Sequence, residues 1–178
     1  KMFVSGNTGD DINVYTLSTG FDLSTATFND INGDGTGFNI NAQDDVPRGL
    51  TFNNDGTKMF VVGDNGNDIN EYTLSVGFDL TSTVTFVDDF DISGQDNRPR
   101  GMAFNNDGTK MYVLGYSGED VNVYTLSTGF DLTSTVTFVD SFDVSNEDDG
   151  PVDIAFNNTG SKMFVVGLND DEINSYSL

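Results

Sequence analysis

The sequence predicts an all-β chain built as a β-propeller, about three and a half blades of four antiparallel strands each, and three observations carry this. A 52-residue unit recurs, with Lys58 to Thr109 aligning without gaps on Lys110 to Ser161. Each unit holds four short runs in which apolar and polar residues alternate, the period of a half-buried strand. Turn residues stand between the runs, Asn-Asp-Gly above all, and no segment shows helical spacing of apolar residues. Four short strands in a repeat of about 50 residues are the mark of a propeller blade.

In chain order, the first copy runs over 1–57 and is longer than the rest because of residues inserted between Phe28 and Pro47. The second copy covers 58–109, the third 110–161, and a partial fourth 162–178, the whole forming one propeller segment over 1–178. Within the second copy the first two strands are Lys58 to Gly63 and Ile69 to Leu74. The third lies around Thr83 to Ile92, after a Gly77-Phe78-Asp79-Leu80 corner, and the fourth is Gly101 to Asn105. Asn54 to Gly56 and Asn106 to Gly108 supply the positive φ of a tight hairpin, and Asp64 to Asp68 is a polar, glycine-bearing loop.

Composition narrows the function classes. The 178 residues are 36% hydrophobic and 12% aromatic, enough for a core, while 29 acids against 7 bases give a formal charge of -22. Nucleic acid is repelled by such a surface. The bases, Lys1, Arg48, Lys58, Arg98, Arg100, Lys110 and Lys162, never stand two in a run, so no basic patch awaits phosphate or anionic lipid. An acid excess of this size calls for salt to screen it or cations to neutralise it. With no cysteine and no histidine, disulfides, thiolate chemistry and the commonest general base are all missing. The longest apolar runs, such as Met59-Phe60-Val61-Val62, are far too short for a membrane span, which predicts no membrane insertion. The chain starts at Lys1 with no visible signal peptide, so any targeting segment is expected to lie outside it.

The run Pro47-Arg48-Gly49-Leu50-Thr51-Phe52-Asn53-Asn54-Asp55-Gly56-Thr57-Lys58-Met59-Phe60-Val61-Val62-Gly63, followed by Ile69-Asn70-Glu71-Tyr72-Thr73-Leu74, resembles the YVTN and WD40-like propeller repeats. The chain departs from that pattern by carrying Asn-Asn where Ser-Pro is usual and by lacking the Trp-Asp pair. Its wording is similar to repeats of secreted or surface proteins of marine bacteria and of phage tails, which implies a binding or structural role. The resemblance also implies that Gly49 to Phe52 is an innermost strand, with the following three moving outward. The chain then reads as fourteen strands, lacking an inner strand at its start and an outer one at its end. Such an arc is incomplete as a ring and implies continuation in a longer chain or association between copies.

Blade topology places the acidic loops of Asp10, Asp11, Asp64, Asp68, Glu119, Asp120, Asp170, Asp171 and Glu172 on the same face as Asp44, Asp45, Asp96, Glu147, Asp148 and Asp149. In the first copy's insertion, Asp30-Ile31-Asn32-Gly33-Asp34-Gly35 follows the first half of an EF-hand-type loop, with oxygens at alternate positions and glycine at the sharp turn. It resembles the DxNxDG loops of dockerins. Position 12 is Asn41 rather than glutamate, so the expected calcium site is Asp30, Asn32, Asp34 and the Thr36 carbonyl, closed by Asp44 or Asp45. Arg48 and Arg100 begin inner strands near the channel, placed to clamp an anionic group or to pair with nearby acids. Glu71, the one acid inside the Ile69 to Leu74 strand and its regular counterparts, is matched by Val14, Val123 and Ser175, so no catalytic base is singled out. The expectation is therefore a non-enzymatic extracellular, cell-surface or virion module for binding or assembly, associated with calcium and with a glycan or surface protein as partner. The alternative is a metal-dependent, lactonase-like hydrolase.

Overall fold

The computed structural model describes residues 1–169 and 171–178, and it is all-β, with four small antiparallel sheets arranged as the blades of a propeller. The first blade holds β1 (Met2–Gly6), β2 (Asp11–Leu17), β3 (Ala26–Phe28) and β4 (Phe38–Asn39). The second holds β5 (Pro47–Phe52), β6 (Lys58–Gly63), β7 (Asp68–Leu74) and β8 (Val84–Asp91), paired in that order. The third repeats it as β9 (Pro99–Phe104), β10 (Lys110–Gly115), β11 (Asp120–Leu126) and β12 (Val136–Asp143). The fourth is β13 (Pro151–Phe156), β14 (Lys162–Gly167) and β15 (Ile173–Ser177).

One expectation needs correcting. Fifteen strands form where fourteen are expected, because β3 and β4 both pair with β2 and the insertion splits the first blade's outer strand. The segment between them carries the Asp30 loop. A single 3-10 turn, Leu23–Thr25, opens with Asp22 accepting from the Ser24 amide.

The hairpin glycines behave as their sequence demands. Gly56 and Gly108 both sit at φ 72°, and the Asn53 amide donates to the Lys58 carbonyl to close the turn. Phe78 and Phe130 also hold left-handed backbone, at φ 56°, which is unusual for a bulky residue. Their rings lie flat against those glycines: a Cβ on Gly56 would meet the Phe78 ring at 2.3 Å. Packing across the blade thus offsets the backbone strain of the corner.

Blades are joined by a repeated apolar boundary. Phe3 and Ile12 of blade one face Met59, Val61, Tyr72, Leu74 and Leu80 of blade two. One repeat on, Phe60, Val62 and Ile69 face Met111, Val113, Tyr124, Leu126 and Leu132. Leu114 and Val121 then face Met163 and Val165. An aromatic pair crosses each boundary, Phe3 with Phe52 at 4.6 Å, Phe60 with Phe104 at 4.7 Å and Tyr112 with Phe156 at 4.5 Å. Among the described residues no helix is long and apolar enough to cross a membrane.

Candidate functional site

The inner strands bring Arg48 and Arg100 to the mouth of a groove of about 550 Å³ that runs between β1, β5, β9 and β13. Both arginines pair with one carboxylate. Arg48 Nη2 donates to Asp64 Oδ2 at 2.8 Å and Arg100 Nη1 donates to the same oxygen at 3.3 Å. Ser5 of β1 fixes the strand beneath by donating to the Arg48 carbonyl at 2.7 Å. Arg98 joins from the loop before β9, its guanidinium stacked 4.5 Å from the Tyr116 ring, with that of Arg100 at 4.9 Å from the same ring.

Charge is unbalanced here in the opposite sense to the rest of the molecule. Two guanidinium groups share one facing carboxylate, Asp64, with the Arg98 guanidinium beside them on Tyr116 and Asp153 further along the groove. The side chains are largely buried, 11% exposed for Arg100 and 14% for Asp64. Burial first, then crowding by Arg48 and Arg98, pulls the Arg100 guanidinium below its ordinary pKa, against the support of Asp64. Arg48 Nε and Arg100 Nε are buried without an acceptor, as Asp64 Oδ1 is without a donor. An added carboxylate, sulfate or phosphate oxygen in the groove beside Arg48 and Arg100 would relieve the crowding of their charges.

The acids assigned to the loop face divide into two sets. Asp44, Asp96 and Asp148 are buried, at 2%, 4% and 1% exposure, rather than displayed. Asp44 accepts from the amides of Val46 and Gly66, and Asp96 accepts from those of Arg98 and Gly118, so each pins the linker leaving one blade to a loop of the blade that follows. Asp148 accepts from Gly150. Gly63, Gly115 and Gly167 leave the space these carboxylates fill, since a Cβ on Gly63 would meet Asp44 at 2.0 Å. Asp68 is half-buried, and burial together with Asp44, Asp89 and Asp91 pushes its carboxyl up to about 6 despite the Asn70 amide. Asp170 lies outside the described residues.

This bears on the expected calcium ligands. Asp44 is committed to backbone amides in the interior and so does not close the Asp30 loop, while Asp45 is exposed. Asp30 accepts from Gly33 and Gly35 amides at 2.7 Å and 3.0 Å, and Asp34 accepts from the Thr36 amide and hydroxyl. Among the described residues no group of three or more acidic side chains converges as a metal site would need. Glu71 is likewise structural. Fully buried, it accepts from Lys58 Nζ and from the Leu132 amide, both at 2.7 Å, and ties blade two to blade three. Sequence reasoning reached Arg48 and Arg100 but missed Arg98, Asp64 and Tyr116 as their company. The two-residue spacing of Arg98 and Arg100 on either side of Pro99 was the available signal.

No family model matches the chain, and no curated protein matches it in sequence. Solved structures share its fold at low identity. A functionally unknown protein from Desulfotomaculum acetoxidans superposes with a TM-score of 0.64 at 21% identity, over 97% of this chain and 49% of that one. A chain of the nidogen/laminin complex gives 0.61 at 16%, over 96% and 55%. The periplasmic gluconolactonase of Pseudomonas aeruginosa gives 0.54 at 18%, over 74% and 35%. The chain therefore spans from about a third to just over half of the length of these structures.

Proposed function

We propose that the chain is a non-catalytic propeller module that binds an anionic group, such as the carboxylate or sulfate of an acidic glycan or of a surface protein, at its arginine-lined groove. The observation that carries this is the sharing of one carboxylate by Arg48 and Arg100, with Arg98 beside them and two guanidinium Nε groups idle, on a molecule of charge -22. Long-range repulsion by that charge discourages polyanions in bulk, so the groove selects ligands that bring a small number of anionic groups to the channel. Such an acidic surface suits salty surroundings, and the module is placed outside the cell or on a virion. Calcium at the exposed Asp30, Asn32, Asp34 and Thr36 loop is the subordinate part of the proposal, supported by Gly33 and Gly35 at positive φ in the turn.

The test is calorimetric titration with a carboxylated or sulfated oligosaccharide against its neutral counterpart. Arg48→Ala and Arg100→Ala are each expected to abolish the difference, and equal binding of the neutral sugar overturns the proposal. The lactonase reading is favoured by the gluconolactonase among the similar structures. It gains the upper hand if the protein turns over a lactone and a single substitution at Asp64 or Asp153 stops it.

A further inference from the structure

We propose that the arginine groove takes a zwitterionic group, one that carries an ammonium close to its carboxylate, with Asp153 receiving the positive end. This rests on the anionic site proposed above and narrows its ligand. The starting point is a charge reversal inside the repeat. Blades two and three open their inner strands with Pro47-Arg48-Gly49 and Pro99-Arg100-Gly101, whereas blade four opens with Pro151-Val152-Asp153. One step loses a cation and the next gains an anion. The surroundings hold, since the proline is kept and Ile154-Ala155-Phe156 follows Met102-Ala103-Phe104 in kind.

The added carboxylate stands in the groove. Asp153 lines the same cavity of about 550 Å³ as Arg48 and Arg100, a size within the roughly 300 to 1,000 Å³ of small-molecule sites. Its side chain turns back toward blade three: a Cβ on Gly101 would meet Asp153 Oδ1 at 2.6 Å, so that glycine leaves the space the carboxylate fills. Oδ1 accepts from the Ile154 amide at 2.8 Å, and Asp153 enters no ion pair among the described residues. Arg100 stands beside Gly101 on the neighbouring strand, yet its guanidinium turns the other way, to Asp64 of blade two. The groove therefore has a cationic wall, where two arginines share one carboxylate, and an anionic wall without a counter-charge. Arg48, Arg100 and Asp64 belong to blades packed on both sides, and Asp153 leans onto one of these, so the arrangement is set by packing inside the chain.

An acid on the wall of an anion site repels a plain anion and adds affinity only when the ligand brings positive charge with it. A group with both charges meets each wall with its opposite. It also feels less of the repulsion that a protein of charge -22 exerts on anions. Amino-bearing acidic sugars and the ends of short peptides both offer this chemistry.

Calorimetric titration with 2-amino-2-deoxyglucuronate and with triglycine, each against its N-acetylated form, tests the inference and distinguishes the two sources. Acetylation keeps the carboxylate and removes the ammonium charge. At least one free-amino probe is expected to bind about 5-fold more tightly than its acetylated form, the strength of one partly exposed ion pair. Asp153→Asn should remove that preference from both directions: the free-amino probe weakens, and the acetylated probe, relieved of repulsion, binds more tightly than it does to the parent. Asparagine keeps an Oδ1 acceptor for the Ile154 amide and the other copies carry glycine at this step, so the variant should fold, which an unchanged melting temperature verifies. Equal binding of free and acetylated probes, or a preference that survives Asp153→Asn, overturns this inference and leaves the anionic site standing. Failure of all four probes to bind overturns the anionic site together with it.

Discussion

Lys58 and Glu71 make a buried pair whose two halves should fail very differently. Glu71 has no solvent contact, whereas the Lys58 side chain keeps 25% of its surface exposed. Replacing Lys58 by Met strands a carboxylate in the interior with only the Leu132 amide to support it, and the Phe130 carbonyl loses its donor as well. Leaving one member of a buried pair uncompensated costs about 3 to 5 kcal/mol. Replacing Glu71 by Val gives blade two what the neighbouring copies carry at Val14 and Val123, and Lys58 can turn to water. The loss is then the Leu132 amide's acceptor, about 1 to 3 kcal/mol, offset by about 1 to 2 kcal/mol from burying the valine. The net cost is about 1 kcal/mol. The double variant should also lie near 1 kcal/mol, which gives a coupling of about 3 to 5 kcal/mol in the cycle. Urea unfolding with a constant m-value measures all four corners. If Glu71→Val costs as much as Lys58→Met, or if the two losses simply add, the asymmetry argued from burial is wrong.

Three further outcomes follow from the same packing. Because the Asp68 carboxyl is raised to about 6 in the fold, the native state carries a penalty at pH 7 that protonation removes. Stability should rise as pH falls from 7 towards 5, before the ordinary carboxylate range is reached. Solvent screening of this half-exposed group limits the gain to about 1 kcal/mol. Asp68→Asn should capture that gain at pH 7, raising Tm by about 2 to 4 °C and flattening the profile, and an unchanged profile in the variant refutes the assignment. Gly56→Ala places a methyl group inside the Phe78 ring and should cost at least about 3 kcal/mol. Gly160→Ala, at φ 69° with open space around it, should cost about 1 kcal/mol. Equal losses in thermal melts would show that the ring contact is unimportant. Asp96→Ala leaves the Arg98 and Gly118 amides without acceptors in the interior and should cost about 2 to 4 kcal/mol, checked by chemical denaturation against Asp140→Ala on the exposed surface as control.

The strands were legible because their signal is local: alternation and Asn-Asp-Gly turns recur at fixed offsets, so β6, β10 and β14 were placed by comparing copies. The split between β3 and β4 was not, since nothing in Ala26 to Asn39 says which residues leave the sheet and which return to it. Side-chain roles were legible only where one partner sufficed. Asp44, Asp96 and Asp148 recur as regularly as the core, yet the sequence reading placed them only on an acidic loop face. Their acidity, though, drew the eye to cations because the amides they receive lie 22 residues away in Gly66 and Gly118. The arginine cluster joins loops of different blades, and Asp64 and Arg100 meet across 36 positions that no pattern in the chain connects.

The aromatic pair that crosses every blade boundary has a genetic corollary. Phe3 on Phe52, Phe60 on Phe104 and Tyr112 on Phe156 are interchangeable couplings, so removing or adding one whole 52-residue unit between like positions joins a face to the kind of face it already met. Unequal recombination between such similar segments would change the number of blades while keeping the apolar boundary intact, and nearest-neighbour stability of this sort tolerates the change. Array length is then free to drift over generations, while selection acts on the seam.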